Sequence, residues 1–333
     1  MIQLLILAKA ILAMTIGFLS SVIFGLILIP ILKKVKIKQK VSTYLAQAHK
    51  KKDGTPTMGG LIFIIPTLFT TFLMLLFGKL NFSENLFIVL FVFLGYALVG
   101  FLDDYLIIRR HSNEGLTEFQ KLAGQLVIAL VFFYIFMKTG NEPVLDINTL
   151  GIRIDLGWFY GIFLLFILVA GSNAVNLTDG LDGLAGGLSA IAFLAFGLLA
   201  WNSRYTSGSE DIAIFCFILV GALLGFLVFN VNPARVFMGD TGSLCLGATM
   251  SSIAIITSHE ITLIVIAGVF ILETLSAIIQ MIGIMCFNKK VFLMAPLHHH
   301  FEKMGFLESD IVKAFWILGL ICAAAAILFA VWI

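Results

Sequence analysis

Five acid-bearing or histidine-bearing polar segments interrupt this otherwise apolar chain, with side chains suited to acid–base, metal or phosphate chemistry. They are Lys52 to Gly60, the pair Asp103-Asp104, Asn176 to Gly183, Phe237 to Gly242, and His298-His299-His300. Acids and histidines are costly in a bilayer and are not scattered there idly. Asp103 and Asp104 repel each other as neighbours. That is tolerable where a divalent cation or a cationic substrate group lies between them, and magnesium favours one or two carboxylates with water and phosphate oxygens. A carboxylate there could also take a proton from an attacking group; the plainer alternative is a solvated helix end.

Asp179 and Asp182 are three apart, so one helical turn would put both on one face. Gly180 and Gly183 let backbone approach a ligand closely. The helix that follows offers its first amides to a phosphate, or either aspartate serves as its cap. Asp240, in the Gly239 to Gly242 turn, is a metal-ligand candidate. Asn230 opens the same stretch. Phe237 could stack on a planar base or equally face lipid or core. Three adjacent imidazoles on a helix point in three directions and cannot share one ion, and the i, i+4 spacing of a helical zinc pair is absent. Phosphate or sugar contacts are therefore favoured over a metal for His298, His299 and His300. Lys52, beside Gly54-Thr55-Pro56-Thr57, could meet a diphosphate, although P-loop spacing is missing.

The elements that must carry these segments follow from composition. The chain has 333 residues, 60% hydrophobic and 12% charged, with a mean hydropathy of +1.08. A soluble domain carries about twice that charged fraction. Apolar runs long enough to cross a bilayer recur throughout, so the chain reads as an all-α polytopic membrane protein of about ten transmembrane helices. They are expected near 4–32, 58–77, 86–102, 119–137, 158–175, 184–201, 212–229, 244–258, 261–286 and 311–332. The first is too long for a signal-peptide core and lacks a cleavage pattern, so it reads as retained. No room is left for a sizeable soluble domain, and residues 1–333 read as one integral membrane domain. The ninth helix is long enough to tilt or bend. Glu273 lies near its middle, where a structural partner is favoured over catalysis. Val144 to Asp155 alternates as a small β-hairpin would, with a turn at Gly151. The Ala323–Ala326 run suits close helix packing. The cysteines, Cys216, Cys245, Cys286 and Cys322, lack metal-ligand spacing and read as small buried apolar residues.

Basic residues set the orientation. Eight lysines between Lys33 and Lys52 share one set of loops with Arg109, Arg110, Lys121, Arg235, Lys289, Lys290, Lys303 and Lys313; the other set holds only Lys79, Lys138, Arg153 and Arg204. The first set is therefore expected in the cytoplasm, with both termini outside. All five polar segments then share the cytoplasmic face. The Lys33–Lys52 run also suits anionic membrane lipids. No nucleic-acid partner is expected.

The motifs Gly54-Thr55-Pro56-Thr57-Met58-Gly59-Gly60, Asp103-Asp104-Tyr105, Lys121-Leu122-Ala123-Gly124-Gln125, Asn176 to Gly183, Phe237 to Gly242 and Pro296 to Glu302 resemble the polyprenyl-phosphate N-acetylhexosamine-1-phosphate transferase superfamily. The first and last of these point to its muramoyl-pentapeptide branch. The resemblance runs from about Ile29 to the C-terminus. It implies transfer of a phospho-sugar from UDP-MurNAc-pentapeptide to undecaprenyl phosphate, giving lipid I and UMP, with Mg2+, by a homodimer in the bacterial inner membrane. Carried onto this sequence, it implies Asp240 and Asp103 as metal ligands, with Asp103 also orienting or deprotonating the lipid phosphate and Asp104 tuning the field or helping with the metal. Lys52 and Lys121 would hold phosphates. Asn176, Asp179, Asp182, Asn230 and Phe237 would form the uridine-diphosphate end, with the histidines on phosphate or sugar. A route through a phosphorylated aspartate stays open. The rivals are a sister enzyme moving GlcNAc-1-phosphate, a transporter using the acids as a cation path, and a scaffold.

Overall fold

The computed structural model describes residues 2–34, 54–110, 115–147, 151–202 and 208–332. Lys52 lies outside them. The described residues form α1 (Ile2–Lys34), α2 (Leu61–Leu76), α3 (Glu84–Arg110), α4 (Glu118–Lys138), the hairpin strands β1 (Val144–Ile147) and β2 (Ile152–Asp155), α5 (Trp158–Thr178), α6 (Leu184–Asn202), α7 (Ser209–Asn230), α8 (Asp240–Ile256), α9 (Glu260–Ile266), α10 (Gly268–Phe287), α11 (Leu297–Lys303) and α12 (Glu308–Trp332). Eight helices (α1, α3, α4, α5, α6, α7, α10 and α12) are long and apolar enough to cross a membrane, and α2 and α8 are shorter apolar helices. Many large apolar side chains point outward from them, among them Phe72, Phe166, Ile162 and Ile321. An apolar exterior of this extent needs lipid and not water around it. The chain is a multi-pass, largely helical membrane protein.

Each apolar segment read from the sequence forms helix, with one difference. The ninth is two helices, α9 and α10, separated at Ala267. The expected bend is thus a break, at the point where Gly268 lowers helix propensity. The hairpin forms in antiparallel register, Val144 opposite Asp155 and Ile147 opposite Ile152. Cys216 and Cys245 are buried as expected, but Cys286 is exposed, on an outward face of α10.

α7 is the central pillar. It is apolar around its whole circumference, and such a helix is stable only when enclosed; it packs on α1, α2, α3 and α6. Small residues allow the closest approach, as is usual between membrane helices. A Cβ on Gly225 would lie 2.6 Å from Cβ of Ser21. The Ser21 hydroxyl lies 2.9 Å from the Ile62 carbonyl and 2.8 Å from that of Ala222, tying α1 to α2 and α7. Away from the five motifs, Tyr160 donates to the buried Glu260 at 2.6 Å, an acid that nothing in the sequence pattern singles out.

After α10 the chain doubles back along it. Gln280 Oε1 accepts the Val291 and Phe292 amides at 3.0 and 2.8 Å. That return carries α11, with the three histidines, up to the level of Glu273.

Candidate active site

The motifs meet near the C-terminal ends of α3 and α5, where α4 and α8 begin. Asp103 and Asp104 lie near the end of α3, and Asp240 is the first residue of α8. Ligand oxygens of all three carboxylates fall within 4.8 Å of one another. Their surroundings differ. Asp104 Oδ2 accepts the Thr241 hydroxyl at 2.6 Å and the Thr241 amide at 3.0 Å, and Oδ1 accepts the Asp240 amide at 3.3 Å. Asp104 therefore caps α8 from a different helix, satisfying amides that the first turn leaves unpaired. Gly239 makes this possible: its φ is +74°, and a Cβ there would lie 2.7 Å from the Thr57 hydroxyl and against Asp104.

Lys121 enters from the first turn of α4, which Thr117 and Gln120 start with a capping box. Its ammonium donates to Asp240 Oδ2 at 2.7 Å and lies 3.5 Å from Asp103 Oδ1. Asn176, at the end of α5, donates to Asp240 Oδ1 at 2.8 Å and is 2.9 Å from the Ser243 hydroxyl. Asp103 Oδ1 also accepts the Leu116 amide at 2.9 Å. Among the described residues, three carboxylates thus face a single ammonium. Asp103 and Asp240 keep lone pairs for a further partner. This is a hard, all-oxygen donor set with excess negative charge, which fits a water-rich divalent cation such as Mg2+ better than a soft metal.

A second layer of loops surrounds the cluster. Asp182 Oδ2 accepts Asn232 Nδ2 and the Ala234 amide, both at 3.0 Å, while the Asp182 amide donates to Glu308 at 2.7 Å. Asn230 is buried; its side chain accepts the Gly183 amide at 3.1 Å and donates to the Val236 carbonyl at 3.0 Å. These bonds join the turn after α5 to the segment before α8. Phe237 is half-buried, and its backbone pairs with Pro56 and Gly59 at 2.8 and 2.7 Å. The stretch from Gly54 to Gly60 is in this way stitched to the loop bearing Asp240. Asp179 is half-buried at the C-terminal end of α5.

The histidines diverge as adjacent helical residues must. His298 is buried against Glu273, with Nδ1 3.0 Å from Oε2. His299 Nδ1 lies 2.7 Å from Glu302. His300 Nδ1 accepts the Leu293 amide at 3.1 Å, which leaves Nε2 as the protonated nitrogen of its neutral ring. They belong to the same end of the bundle, because His298 packs on Gly180, but none is in the carboxylate cluster. Sequence reasoning did not single out Thr241, Ser243, Asn232 or Glu308. The first two follow directly on Asp240, and their hydroxyl character next to an acid was the available signal. Asn232 and Glu308 gave none.

A family model for glycosyl transferase family 4 matches residues 86–258, which takes in Asp103, Asp104, Lys121, Asn176 and Asp240. That match covers over half of the chain, so the chain is a membrane member of this transferase family. A signature of phospho-N-acetylmuramoyl-pentapeptide-transferases matches residues 52–64. Relatives with that name include one from Geobacillus sp. (strain WCH70), 49% identical over 97% of this chain and 98% of its own length. Another, from Bacillus subtilis (strain 168), is 49% identical over 95% of this chain and 96% of its own. The chain belongs to the phospho-N-acetylmuramoyl-pentapeptide-transferase family.

Proposed function

We propose that this protein transfers phospho-MurNAc-pentapeptide from UDP-MurNAc-pentapeptide to undecaprenyl phosphate, releasing UMP, in a magnesium-dependent reaction. The observation that carries the chemistry is the cluster of Asp103, Asp240 and Lys121, with Asp240 gripped by Asn176. An oxygen of the lipid phosphate attacks the β-phosphorus of the donor. A new P–O bond forms there, the bond to the bridging oxygen breaks, and UMP leaves with that electron pair. Such transfers depend on positioning and charge neutralisation more than on covalent help.

Asp240 and Asp103 hold magnesium, which when bound neutralises and polarises the diphosphate. Asp103 orients the lipid phosphate and takes any proton it still carries; at neutral pH that phosphate is already largely ionised. Asp104 fixes Asp240 by capping its helix. Lys121 and Lys52 meet phosphate oxygens. Asn176, Asp179, Asp182, Asn230 and Phe237 shape the uridine-diphosphate end, and His298, His299 and His300 the phosphate or sugar. The ten-span arrangement, with both termini outside and the site on the cytoplasmic face of the bacterial inner membrane, is supported by the loop lysines and by the shared end of the motifs. The active form is a homodimer.

Purified protein in detergent, given both substrates with and without magnesium, tests this by lipid product and UMP measured together. Magnesium-dependent formation of both is expected. Activity with UDP-GlcNAc in place of the muramoyl donor would refute the assignment.

A further inference from the structure

Glu273 has no exposed surface and sits in the second turn of α10, amid apolar side chains. A carboxylate there needs a specific reason. Among the described residues, its hydrogen-bond donors come from one residue. The His298 amide donates to Oε1 at 3.1 Å, and His298 Nδ1 lies 3.0 Å from Oε2. Ionised, a carboxylate only accepts, so Nδ1 carries the proton in this pair. Held at both backbone and ring, His298 cannot turn. In the neutral ring this leaves Nε2 as an acceptor.

Nε2 is where the arrangement stays incomplete. It is buried and has no hydrogen-bond partner among the described residues. Such atoms are few in folded proteins and call for an explanation. It points at Gly180, where a Cβ would collide with Nε2 and lie 2.9 Å from Cε1. Gly180 itself is exposed on the turn after α5, four residues from the Asn176 that grips Asp240.

We propose that Glu273 is a positioning residue that locks the His298 tautomer and seats Nε2 against the Gly180 turn, for a hydroxyl or N–H of the nucleotide-sugar donor. This deepens the transferase reading and rests on it. The His298 ring fills the space that a Gly180 side chain would need, and a donor lying at this exposed turn supplies the bond that Nε2 lacks. Glu273 does not touch the donor; it acts through His298, as outer partners of a working histidine commonly do.

The test compares wild type, Glu273→Gln, Gly180→Ala and the double variant in the transfer assay, with thermal melts of each. Glu273→Gln is expected to lower kcat/KM for the donor by about 10–100-fold, mainly through KM. The magnesium concentration for half-maximal rate stays at the wild-type value. Gly180→Ala, whose φ suits any residue, gives the same pattern even if Glu273→Gln folds poorly. The double variant loses no more than the worse single one, because both act on one ring. Wild-type kcat/KM in Gly180→Ala, or multiplied losses in the double variant, would overturn the proposal. A second readout needs no donor. In 15N-histidine-labelled protein, the Nδ1-protonated signature of His298, assigned by its loss in His298→Asn, is expected in wild type and absent in Glu273→Gln. Its persistence in Glu273→Gln would overturn the proposal too. Failure of the wild-type transfer assay alone would instead count against the transferase reading, with this NMR arm still deciding the role of Glu273.

Discussion

Gly100 is the position where the site is most sensitive to a single methyl group. It lies on α3, one turn before Asp103, and α8 begins directly against it. A Cβ there would lie 2.6 Å from the Thr241 amide nitrogen and closer still to the Asp240 carbonyl. Both obstacles are backbone, so no rotamer change can make room. Ordinary contact begins near 3.5 Å, so Gly100→Ala forces α3 and α8 apart by about 1 Å at the level of Asp240. The Thr241–Asp104 bond, now 2.6 Å and made directly between these two helices, would stretch beyond hydrogen-bonding range, and Asp240 would move away from Asp103. A misplacement of that size costs on the order of 100-fold in rate. The overpacking itself costs about 1–3 kcal/mol, which a folded bundle tolerates. We expect turnover at saturating substrates to fall on the order of 100-fold, with the protein still folded by thermal melt. Gly95→Ala on the same helix is the control. Its nearest obstacle is the movable Ile128 side chain at 3.0 Å, and its turnover should stay near wild type. Wild-type turnover in Gly100→Ala, with an unchanged magnesium dependence, would refute the reasoning.

Three further substitutions probe the surroundings. Lys121→Met removes the ammonium that bridges Asp103 and Asp240, an attraction of about 4 kcal/mol at 4 Å and an effective dielectric near 20. Activity should collapse, and magnesium should raise the melting temperature more than in wild type; an equal or smaller rise would count against a metal site there. Thr241→Val keeps the shape but deletes the 2.6 Å bond to Asp104, costing about 1.5–3 kcal/mol. The melt should drop and kcat fall while donor KM holds, and a change confined to KM would contradict the capping role. Asp182→Ala strands the Ala234 amide and leaves Asn232 Nδ2 with Glu308 alone, a loss of about 1–3 kcal/mol where water does not reach the freed amide. Stability and donor affinity should fall together, with Asp182→Asn milder; an unaltered melt would show that the loop does not depend on it.

The helices and the hairpin were legible because long apolar runs and strict alternation are strong local signals. The meeting of the motifs at one end was legible too, because successive membrane helices alternate in direction. What each side chain touches was not. A helix that is apolar on every side, like α7, has no preferred face to read. The partner of Asp104 sits 137 residues further along the chain, and Asn176 reads as a substrate ligand as readily as the clamp on Asp240 that it forms here. The doubling back after α10 depends on Gln280, one of four polar side chains in an otherwise apolar helix. The break at Ala267 was expected only as a bend, because one glycine in a long run weakens a helix without fixing where it stops.

The hydrogen bonds within the cluster also bear on the order of bond making. A phosphorylated-aspartate route needs a carboxylate oxygen that is free to attack. Asp104 has both oxygens occupied by α8, and Asp240 has one held by Lys121 and the other by Asn176. Asp103 has one oxygen engaged by Leu116 and Lys121, and its Oδ2 has no hydrogen bond among the described residues. On the proposed reading, that oxygen orients the incoming phosphate or accepts its proton. As a nucleophile it would have to approach phosphorus beside two further carboxylates, whose charge opposes the approach of a diphosphate unless a cation intervenes. The arrangement therefore favours a single displacement by the lipid phosphate. With labelled UMP, unlabelled donor and magnesium but no lipid acceptor, a single displacement gives no label in the donor. A phosphorylated enzyme would return the phospho-sugar to UMP and label it. Exchange at a rate comparable to turnover would overturn the single-step reading, and its loss in Asp103→Asn would identify the carboxylate that carried the group.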